Sequence, residues 1–218
     1  MRFDLHVHTT LSSCSQLTLE EIMSFAGAKG LDGVCITDHD TMAVRQVFRE
    51  GVQDNGLCVI FGLEYATEEG DFLLFGPFEE IRPGLAAAEL LRYVEASGGV
   101  AVAAHPCRRS RSTRENLIRE HLCRIVESVN GRNSHPENKQ AASWCKRYNV
   151  SQVCGSDAHT LSELGMAVTR FHEPVHNRSD LIRLLKNGSF TAERNEDEGK
   201  PSLAPHLHAV TPARIDGL

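Results

Sequence analysis

Residues 2–10 read Arg-Phe-Asp-Leu-His-Val-His-Thr-Thr, a short apolar segment that carries two histidines. Side chains of a β-strand alternate between its two faces, so residues two positions apart point the same way. As a strand, this segment places His6 and His8 on one face, where two imidazoles form half of a metal site. Asp4 falls on the same face and is in position to orient one imidazole. Two histidines alone are equally typical of a protein surface, so the rest of the chain decides between these interpretations.

The composition is that of an ordinary soluble globular protein, with one domain or two small ones. The chain has 218 residues, of which 41% are hydrophobic and 24% charged, and its net charge is −6. General nucleic-acid binders are usually basic, so we do not expect a long nucleic acid as a partner. No apolar run approaches the roughly 20 residues that span a bilayer, so no membrane partner is expected.

The N-terminus and the cysteines indicate a compartment. No basic segment followed by an apolar core opens the chain, as it would in a signal peptide. The seven cysteines are scattered without Cys-x-x-Cys spacing, which is typical of free thiols in a reducing environment. These features favour a cytoplasmic location.

Short apolar segments alternate with helical patterns along the chain, which is typical of an α/β fold with buried parallel strands. A capping box at Thr18 predicts the start of the first helix, and Ser179 is expected to cap the last one. A further helical stretch is expected from Thr41 to about Asn55. One continuous apolar strand is expected over residues 57–63.

The character of the chain changes near residue 193. Beyond it the sequence is charged and proline-rich, with no helical or strand period. We therefore predict one domain over residues 1–192 and a C-terminal tail or extended arm over residues 193–218.

Polar residues with metal-ligand chemistry follow the ends of several apolar segments. They are Asp38, His39, Glu64, His105, Glu127, Asp157 and His159. In a parallel barrel the C-terminal strand ends meet at one rim, where active sites lie. An open sheet would spread six strand ends over about 25 Å, because neighbouring strands lie about 4.8 Å apart. Each residue alone reads as a polar terminus facing water, but the set favours a barrel over an open doubly wound sheet.

The types of ligand indicate the metal. Imidazoles combined with bridging carboxylates suit Mn, Fe or Zn, and more than four ligands implies more than one ion. Two ions about 3.5–4 Å apart can bridge a hydroxide and hold a phosphoryl group during an in-line displacement. The expected cofactors are therefore two or three divalent metal ions.

Six short motifs occur in order along the chain. They are Asp-Leu-His-Val-His-Thr (4–9), Thr-Asp-His-Asp (37–40), Gly-Leu-Glu (62–64), Ala-His-Pro (104–106), Glu127 with Asn-Gly-Arg (130–132), and Gly-Ser-Asp-Ala-His (155–159). This ordered set resembles the PHP (polymerase and histidinol phosphatase) family, from residue 1 to about residue 192. The resemblance implies a distorted (β/α)7 barrel with a metal site at its C-terminal rim that hydrolyses phosphate esters.

The resemblance also implies which residues hold the first two metals. Those residues are His6, His8, Glu64, Asp157 and His105, with Glu64 bridging the two ions. His135 falls where some members place a further ligand to the second metal. It reads equally as a loop histidine beside the proline that opens a helix.

The loop after the first strand departs from the family pattern. Many members carry an acidic residue there, within Ser-Asp-Gly, whereas this chain has Ser13 and Cys14. The third metal position, which His39 and His159 face, therefore lacks its usual carboxylate and is expected to be empty or partly occupied. As a thiolate, Cys14 would replace that carboxylate and select a softer ion such as Zn²⁺. Otherwise it is a small loop residue packed against the barrel.

The remaining candidates concern catalysis. Asp38 is expected to orient neighbouring groups or to handle a proton, and His39 or His159 to protonate the leaving alkoxide. Arg132 and Arg108 lie on rim loops, and a guanidinium fork matches phosphate oxygens. Their alternative is solvated surface charge.

These observations predict a metal-dependent phosphoesterase that uses a metal-bridging hydroxide as nucleophile. The expected substrate is a small phosphorylated metabolite such as a nucleotide, a sugar phosphate or histidinol phosphate, and phosphomonoester hydrolysis is favoured. The alternatives are a phosphodiesterase or 3′-exonuclease, and a non-catalytic metal-binding regulatory module. The regulatory module is disfavoured because every core ligand of the first two metals is present.

Overall fold

The computed structural model describes residues 1–194, which form a mixed α/β fold of two sheets and five α-helices. The strands are β1 (Arg2–Val7), β2 (Gly33–Ile36), β3 (Gly51–Val52), β4 (Cys58–Phe61), β5 (Leu63–Thr67), β6 (Gly70–Phe75), β7 (Val100–Ala104), β8 (Ile125–Asn130), β9 (Ser151–Gly155), β10 (Ala167–Phe171) and β11 (Phe190–Arg194). The α-helices are α1 (Leu19–Phe25), α2 (Ala87–Ala96), α3 (Glu115–Arg119), α4 (His135–Tyr148) and α5 (Arg178–Asn187), and two 3₁₀ helices cover Gly27–Lys29 and Ala43–Gln46.

The strands pair in both directions. One sheet has the order β11-β10-β1-β2-β4-β3 and the other β5-β6-β7-β8-β9. The pairs β1–β2, β2–β4, β7–β8 and β8–β9 are parallel, and the others are antiparallel. The α/β class is confirmed, whereas one closed barrel of seven parallel strands stays a prediction.

The two sheets adjoin at two seams, and both carry motif residues. Val7 at the end of β1 bridges in parallel to Ala158 beyond β9, and His39 beyond β2 bridges in parallel to Glu64 in β5. The polar residues that follow strand ends in one sheet are thereby brought against those of the other. The expected convergence of the strand ends is present at these seams.

Local signals explain the helices that frame the sheets. The Thr18 hydroxyl accepts a hydrogen bond from the Glu21 amide at 3.1 Å, and the Glu21 carboxylate accepts one from the Thr18 amide at 2.8 Å. The predicted capping box is therefore confirmed. In α2, the apolar stripe Ala87, Leu90, Leu91 and Val94 is buried. The cap of α5 is Asn177, whose side chain accepts from the Asp180 amide, so the assignment of Ser179 was wrong.

Two segment predictions fail for local reasons. The helical stretch expected from Thr41 to Asn55 is a short 3₁₀ helix followed by β3, which pairs antiparallel with β4. The side-chain amide of Gln53 holds the turn by donating to the carbonyl oxygens of Arg49 and Gly51 at 2.9 and 2.7 Å. The single strand expected over residues 57–63 is divided at Gly62 into β4 and β5, which lie in different sheets.

Strand β11 extends into the segment that was predicted to be a tail. β11 continues to Arg194 and pairs with β10, so the first two residues of the predicted tail belong to the sheet. The rest of that tail, residues 195–218, lies outside the described residues. Within residues 1–194, no helix combines the length and apolarity needed to cross a bilayer.

We predict that Gly62→Ala destabilises the fold. A Cβ at this position would lie 2.6 Å from the carbonyl oxygen of Leu74 and 2.7 Å from the Phe75 ring. Because Leu74 is fixed by its pairing with Leu63, the loss in unfolding free energy should be about 1–3 kcal/mol. Urea denaturation measures it.

Gly27→Ala is the matched control, since a Cβ there would meet nothing within 4 Å. Equal stability of the two variants would show that the division of the strand at residue 62 does not depend on a close backbone approach.

Candidate metal centre

The two histidines of the first motif lie together in the interior. His6 and His8 are fully buried, and their Nε2 atoms are 3.0 Å apart. On the opposite face of β1, Leu5 and Val7 are buried in two apolar clusters. The predicted alternation of side chains along β1 is therefore present, and both imidazoles point towards the seam between the sheets.

Three groups of potential ligand atoms surround these imidazoles among the described residues, and within each group the atoms lie within 4.8 Å of one another. The first cluster is His6, His8 and Asp157; the second is His6, Glu64 and His105; the third is His8, His39 and His159. Shared histidines join the clusters into one continuous centre. The structure thus brings together every predicted ligand except His135.

Glu64 is the residue on which the clusters converge. Its Oε1 lies 2.8 Å from Nε2 of His105, and its Oε2 lies 3.2 Å from Nε2 of His8 and 3.1 Å from Nδ1 of His39. Within the part of the chain that is described, this buried Oε2 accepts no hydrogen bond, and Nδ1 of His105 also lacks a partner. Buried polar atoms are rarely left unpaired, and imidazole with carboxylate suits Mn, Fe or Zn. The residues therefore fit a divalent ion.

Glu127 holds two of these ligands from behind. One carboxylate oxygen lies 3.0 Å from Nδ1 of His6, and the other accepts a hydrogen bond from the His105 amide at 2.7 Å. The Asn130 side chain donates to the second oxygen at 2.9 Å. An acceptor at Nδ1 fixes the proton there and leaves Nε2 of His6 free to bind a metal. Glu127 was a candidate ligand in the sequence, and the structure places it in this supporting position.

Ser12, which the sequence reasoning missed, supports His8 in the same way. Its hydroxyl lies 3.2 Å from Nδ1 of His8, donates to Asp38 at 2.6 Å, and accepts from the His39 amide at 3.1 Å. Asp38 also accepts from the amide and hydroxyl of Thr9 at 2.7 and 2.8 Å. Asp38 therefore contacts Thr9 and Ser12, and its role in orienting neighbouring groups or handling a proton stays a prediction. Ser12 sits in a loop without periodicity, so nothing in the local pattern singles it out.

Asp4 does not orient an imidazole. Its carboxylate accepts from the amide and hydroxyl of Ser156, from the Gly165 amide and from the His6 amide. Burial raises the pKa of Asp4 to about 6, although all of these hydrogen bonds oppose the shift. Asp4 thus fastens β1 to the loop after β9 and so helps to place Asp157.

The charges of the centre compensate one another. Burial favours the neutral form of the Asp157 and Glu64 carboxyls, but the facing His6 holds the pKa of each well below its usual range. Burial opposes the charge of His6, and the same carboxylates together with Glu127 raise the pKa of His6 well above its usual value. A metal ion would take the place of the imidazole protons in this balance.

Two of the predicted ligands have an unusual backbone. The φ angles of His105 and Asp157 are +30° and +57°, in the left-handed region that side-chain-bearing residues seldom adopt. Strained residues of this kind concentrate at functional sites, where the surroundings hold them in place. This strain aims both side chains into the centre.

The two predicted phosphate-binding arginines differ in position. Arg108 donates to Asp157 at 2.7 Å, to Asn130 at 2.8 Å and to Asn133 at 2.9 Å, so its fork is engaged in holding a candidate ligand. Arg132 is exposed, with one guanidinium nitrogen 2.9 Å from Nδ1 of His159 and its Nε 3.5 Å from a carboxylate oxygen of Glu163. Arg132 is the more exposed of the two arginines.

The other peripheral candidate is His135. It is the exposed first residue of α4 and belongs to none of the three clusters found among residues 1–194. The structure agrees with the alternative that it is a histidine beside the helix-opening proline.

The loop thiol lies at the third cluster. Sγ of Cys14 is 3.2 Å from Nε2 of His159. Burial raises the pKa of the Cys14 thiol and lowers that of His159, so both are neutral at neutral pH without a metal.

Comparison with known proteins adds relatives and structural neighbours. A family model described as PHP-associated matches residues 135–190. An uncharacterised protein of Methanocaldococcus jannaschii is 32% identical over 116 residues, which cover 49% of this chain and 68% of that protein. The phosphoribosyl 1,2-cyclic phosphate 1,2-diphosphodiesterase of Eggerthella lenta is 37% identical over 89 residues, or 38% of this chain and 34% of the enzyme.

Two solved structures share the fold. A two-domain protein from Bacteroides vulgatus, containing a predicted PHP-like metal-dependent phosphoesterase, has a TM-score of 0.67 at 18% identity, over 89% of this chain and 64% of its own. Endonuclease Q in complex with a 27-mer duplex carrying an abasic lesion has a TM-score of 0.67 at 17% identity, over 85% of this chain and 56% of its own.

The prediction that a long nucleic acid is not a partner was wrong. Endonuclease Q has the same fold and holds a DNA duplex. Net charge is a sum over the whole chain, whereas a phosphate responds to the charge near its site, where Arg132 is exposed and metal ions would add positive charge. The value of −6 therefore excludes no class of phosphate ester.

We predict that Glu127→Gln weakens metal binding by about 10- to 100-fold, as the loss of a supporting partner usually does. Glutamine offers one acceptor oxygen, whereas Glu127 uses both of its oxygens, on His6 and on the His105 amide. Titration calorimetry with Mn²⁺ measures the affinity. Glu120→Gln, at an exposed glutamate, is the control, and equal affinities in the two variants would contradict the supporting role.

Proposed function

Because the chain belongs to the PHP family, we propose that it hydrolyses phosphate esters at a centre of two or three divalent metal ions. The observation that carries the proposal is the buried Oε2 of Glu64, which accepts no hydrogen bond within residues 1–194 while imidazole nitrogens approach it to 3.1–3.3 Å. A carboxylate oxygen in that position is suited to a shared cation. The six motifs and the three clusters supply the remaining donors.

His6, His8 and Asp157 would hold one ion and His105 a second. Glu64 would be shared between the two ions, because its Oε2 faces His6 and His8 and its Oε1 faces His105. When bound, such ions lower the pKa of water and neutralise charge on phosphoryl oxygens. The protein contributes rigid placement, since Glu127 and Ser12 fix the two β1 imidazoles from behind.

The rim residues handle the substrate. Arg132 is exposed and its guanidinium fork would contact the phosphoryl oxygens, whereas Arg108 holds Asp157. The His39 side chain is 44% exposed, so when the third metal position is empty it can reach the leaving oxygen and protonate it. Burial lowers the pKa of His159, so this residue carries a proton to donate less often than an exposed histidine does.

The substrate we propose is a monoester of a small phosphorylated metabolite, such as a nucleotide, a sugar phosphate or histidinol phosphate. A terminal phosphoryl group carries two charges, and paired cations with an arginine at the rim match that charge. A second candidate is phosphodiester hydrolysis. It is favoured by the likeness to the cyclic-phosphate diphosphodiesterase and to endonuclease Q.

A substrate panel separates the candidates. Protein loaded with Mn²⁺ would be assayed on a nucleoside monophosphate, a sugar phosphate, histidinol phosphate, a small cyclic phosphate, and a DNA duplex with an abasic site. Faster hydrolysis of a monoester, abolished by chelation, supports the first candidate. Turnover of only the cyclic phosphate or the duplex supports the second, and metal binding with no turnover indicates a non-catalytic module.

We predict that His8→Ala reduces hydrolysis of the best substrate by more than about 100-fold, because His8 lies in two of the clusters. Circular dichroism should show an unchanged fold, since the capping hydrogen bonds of α1 and α5 are made by other residues. His172→Ala, at an exposed histidine, is the control and should retain parental turnover. Parental turnover and full metal content in His8→Ala would contradict the assignment.

A further inference from the structure

The third cluster has a sulfur atom beside it that the proposed hydrolysis does not use. We propose that Cys14 is a protein ligand of the third cluster and makes that position select a thiophilic ion such as Zn²⁺ over Mn²⁺. This inference rests on the proposed metal centre and concerns only the third of its positions.

The position of the thiol is set by the fold. The loop that carries Cys14 is fastened on both sides of the cysteine. The Ser15 hydroxyl lies 2.9 Å from the carbonyl oxygen of His8 and 3.2 Å from that of His159, and the Gln16 amide donates to the same His159 oxygen at 2.9 Å. Before the cysteine, the Ser12 hydroxyl is tied to Asp38 and to the His39 amide. These anchors hold Sγ 3.2 Å from Nε2 of His159.

A second feature, which does not involve the thiol, points to a ligand at the third cluster. Oε2 of Glu64 is buried and accepts no hydrogen bond from the described residues, yet it lies 3.1 Å from Nδ1 of His39 and 3.2 Å from Nε2 of His8. Two imidazoles of the third cluster thus lie beside the same carboxylate oxygen, which has no hydrogen-bond donor among the described residues. A cation seated among these donors would satisfy it.

The charge and softness of the donor atoms decide which cation binds at the third cluster. His8, His39 and His159 are neutral ligands when metal-bound, and the Glu64 carboxylate belongs to the second cluster, where its Oε1 faces His105. A thiolate adds a negative charge and a soft donor, which favours Zn²⁺ over Mn²⁺. On binding, the S–H bond breaks, the proton passes to solvent, and a metal–sulfur bond forms without oxidation.

The competing explanation is that the thiol only donates a hydrogen bond to His159. Cobalt(II) separates the two, because direct cobalt–thiolate bonding gives an intense near-ultraviolet charge-transfer absorption and a hydrogen bond gives none. The parent protein would be titrated with Co²⁺ and compared with Cys14→Ser, Cys14→Asp and Cys107→Ser. Cys107 is a partly buried free thiol and serves as the matched control.

We expect the absorption band in the parent and in Cys107→Ser, and its loss in Cys14→Ser and Cys14→Asp. The Zn²⁺ affinity of the last position to fill should fall at least about 10-fold in Cys14→Ser. Cys14→Asp should restore an ion there with a preference shifted towards Mn²⁺, since a carboxylate is a harder donor.

Two results would overturn the inference. One is a parent that binds three ions without the band, and the other is a band that persists in Cys14→Ser. Either leaves the proposed function intact if Cys14→Ser still takes up Mn²⁺ at the first two clusters. A parent that binds no ion at any cluster would refute both the inference and the proposed function.

Discussion

The centre depends on a balance of charge inside the protein. The side chains of Glu64, Glu127 and Asp157 are buried around the equally buried imidazole of His6. A buried carboxylate is costly unless a cation or a hydrogen-bond donor compensates it. These carboxylates raise the pKa of His6 well above its usual value, and a divalent ion at the seam would meet the same carboxylates. The place where the two sheets meet therefore favours positive charge, which links the fold to metal binding.

The sequence predicted the parts of this arrangement that depend on local pattern. The period-two spacing of His6 and His8 and the polar residues at the strand ends led to the clusters without knowledge of the topology. The supporting contacts were out of reach, because Glu127 meets His6 across 121 positions and Asp4 meets Ser156 across 152. The antiparallel pairings were missed for a different reason, since short buried strands look alike whichever way they run.

The rim shows why summed properties of a chain are a poor guide to its substrate. A net charge of −6 suggested that polyanions would be excluded, yet the acidic residues of the centre are those that would bind cations. Bound metal ions would offset the charge of these carboxylates and make the site locally positive. Two arginines add to the positive charge there, since Arg132 contacts His159 and Arg108 donates to Asp157.

Anomalous diffraction from crystals soaked in Mn²⁺ tests the central claim most directly. Peaks in contact with Nε2 of His6 and with the Glu64 carboxylate, absent in crystals of His8→Ala or weakened there, are the predicted result. A parent crystal with no peak among the three clusters, or with manganese bound only elsewhere on the protein, would contradict the assignment of this seam as a metal centre.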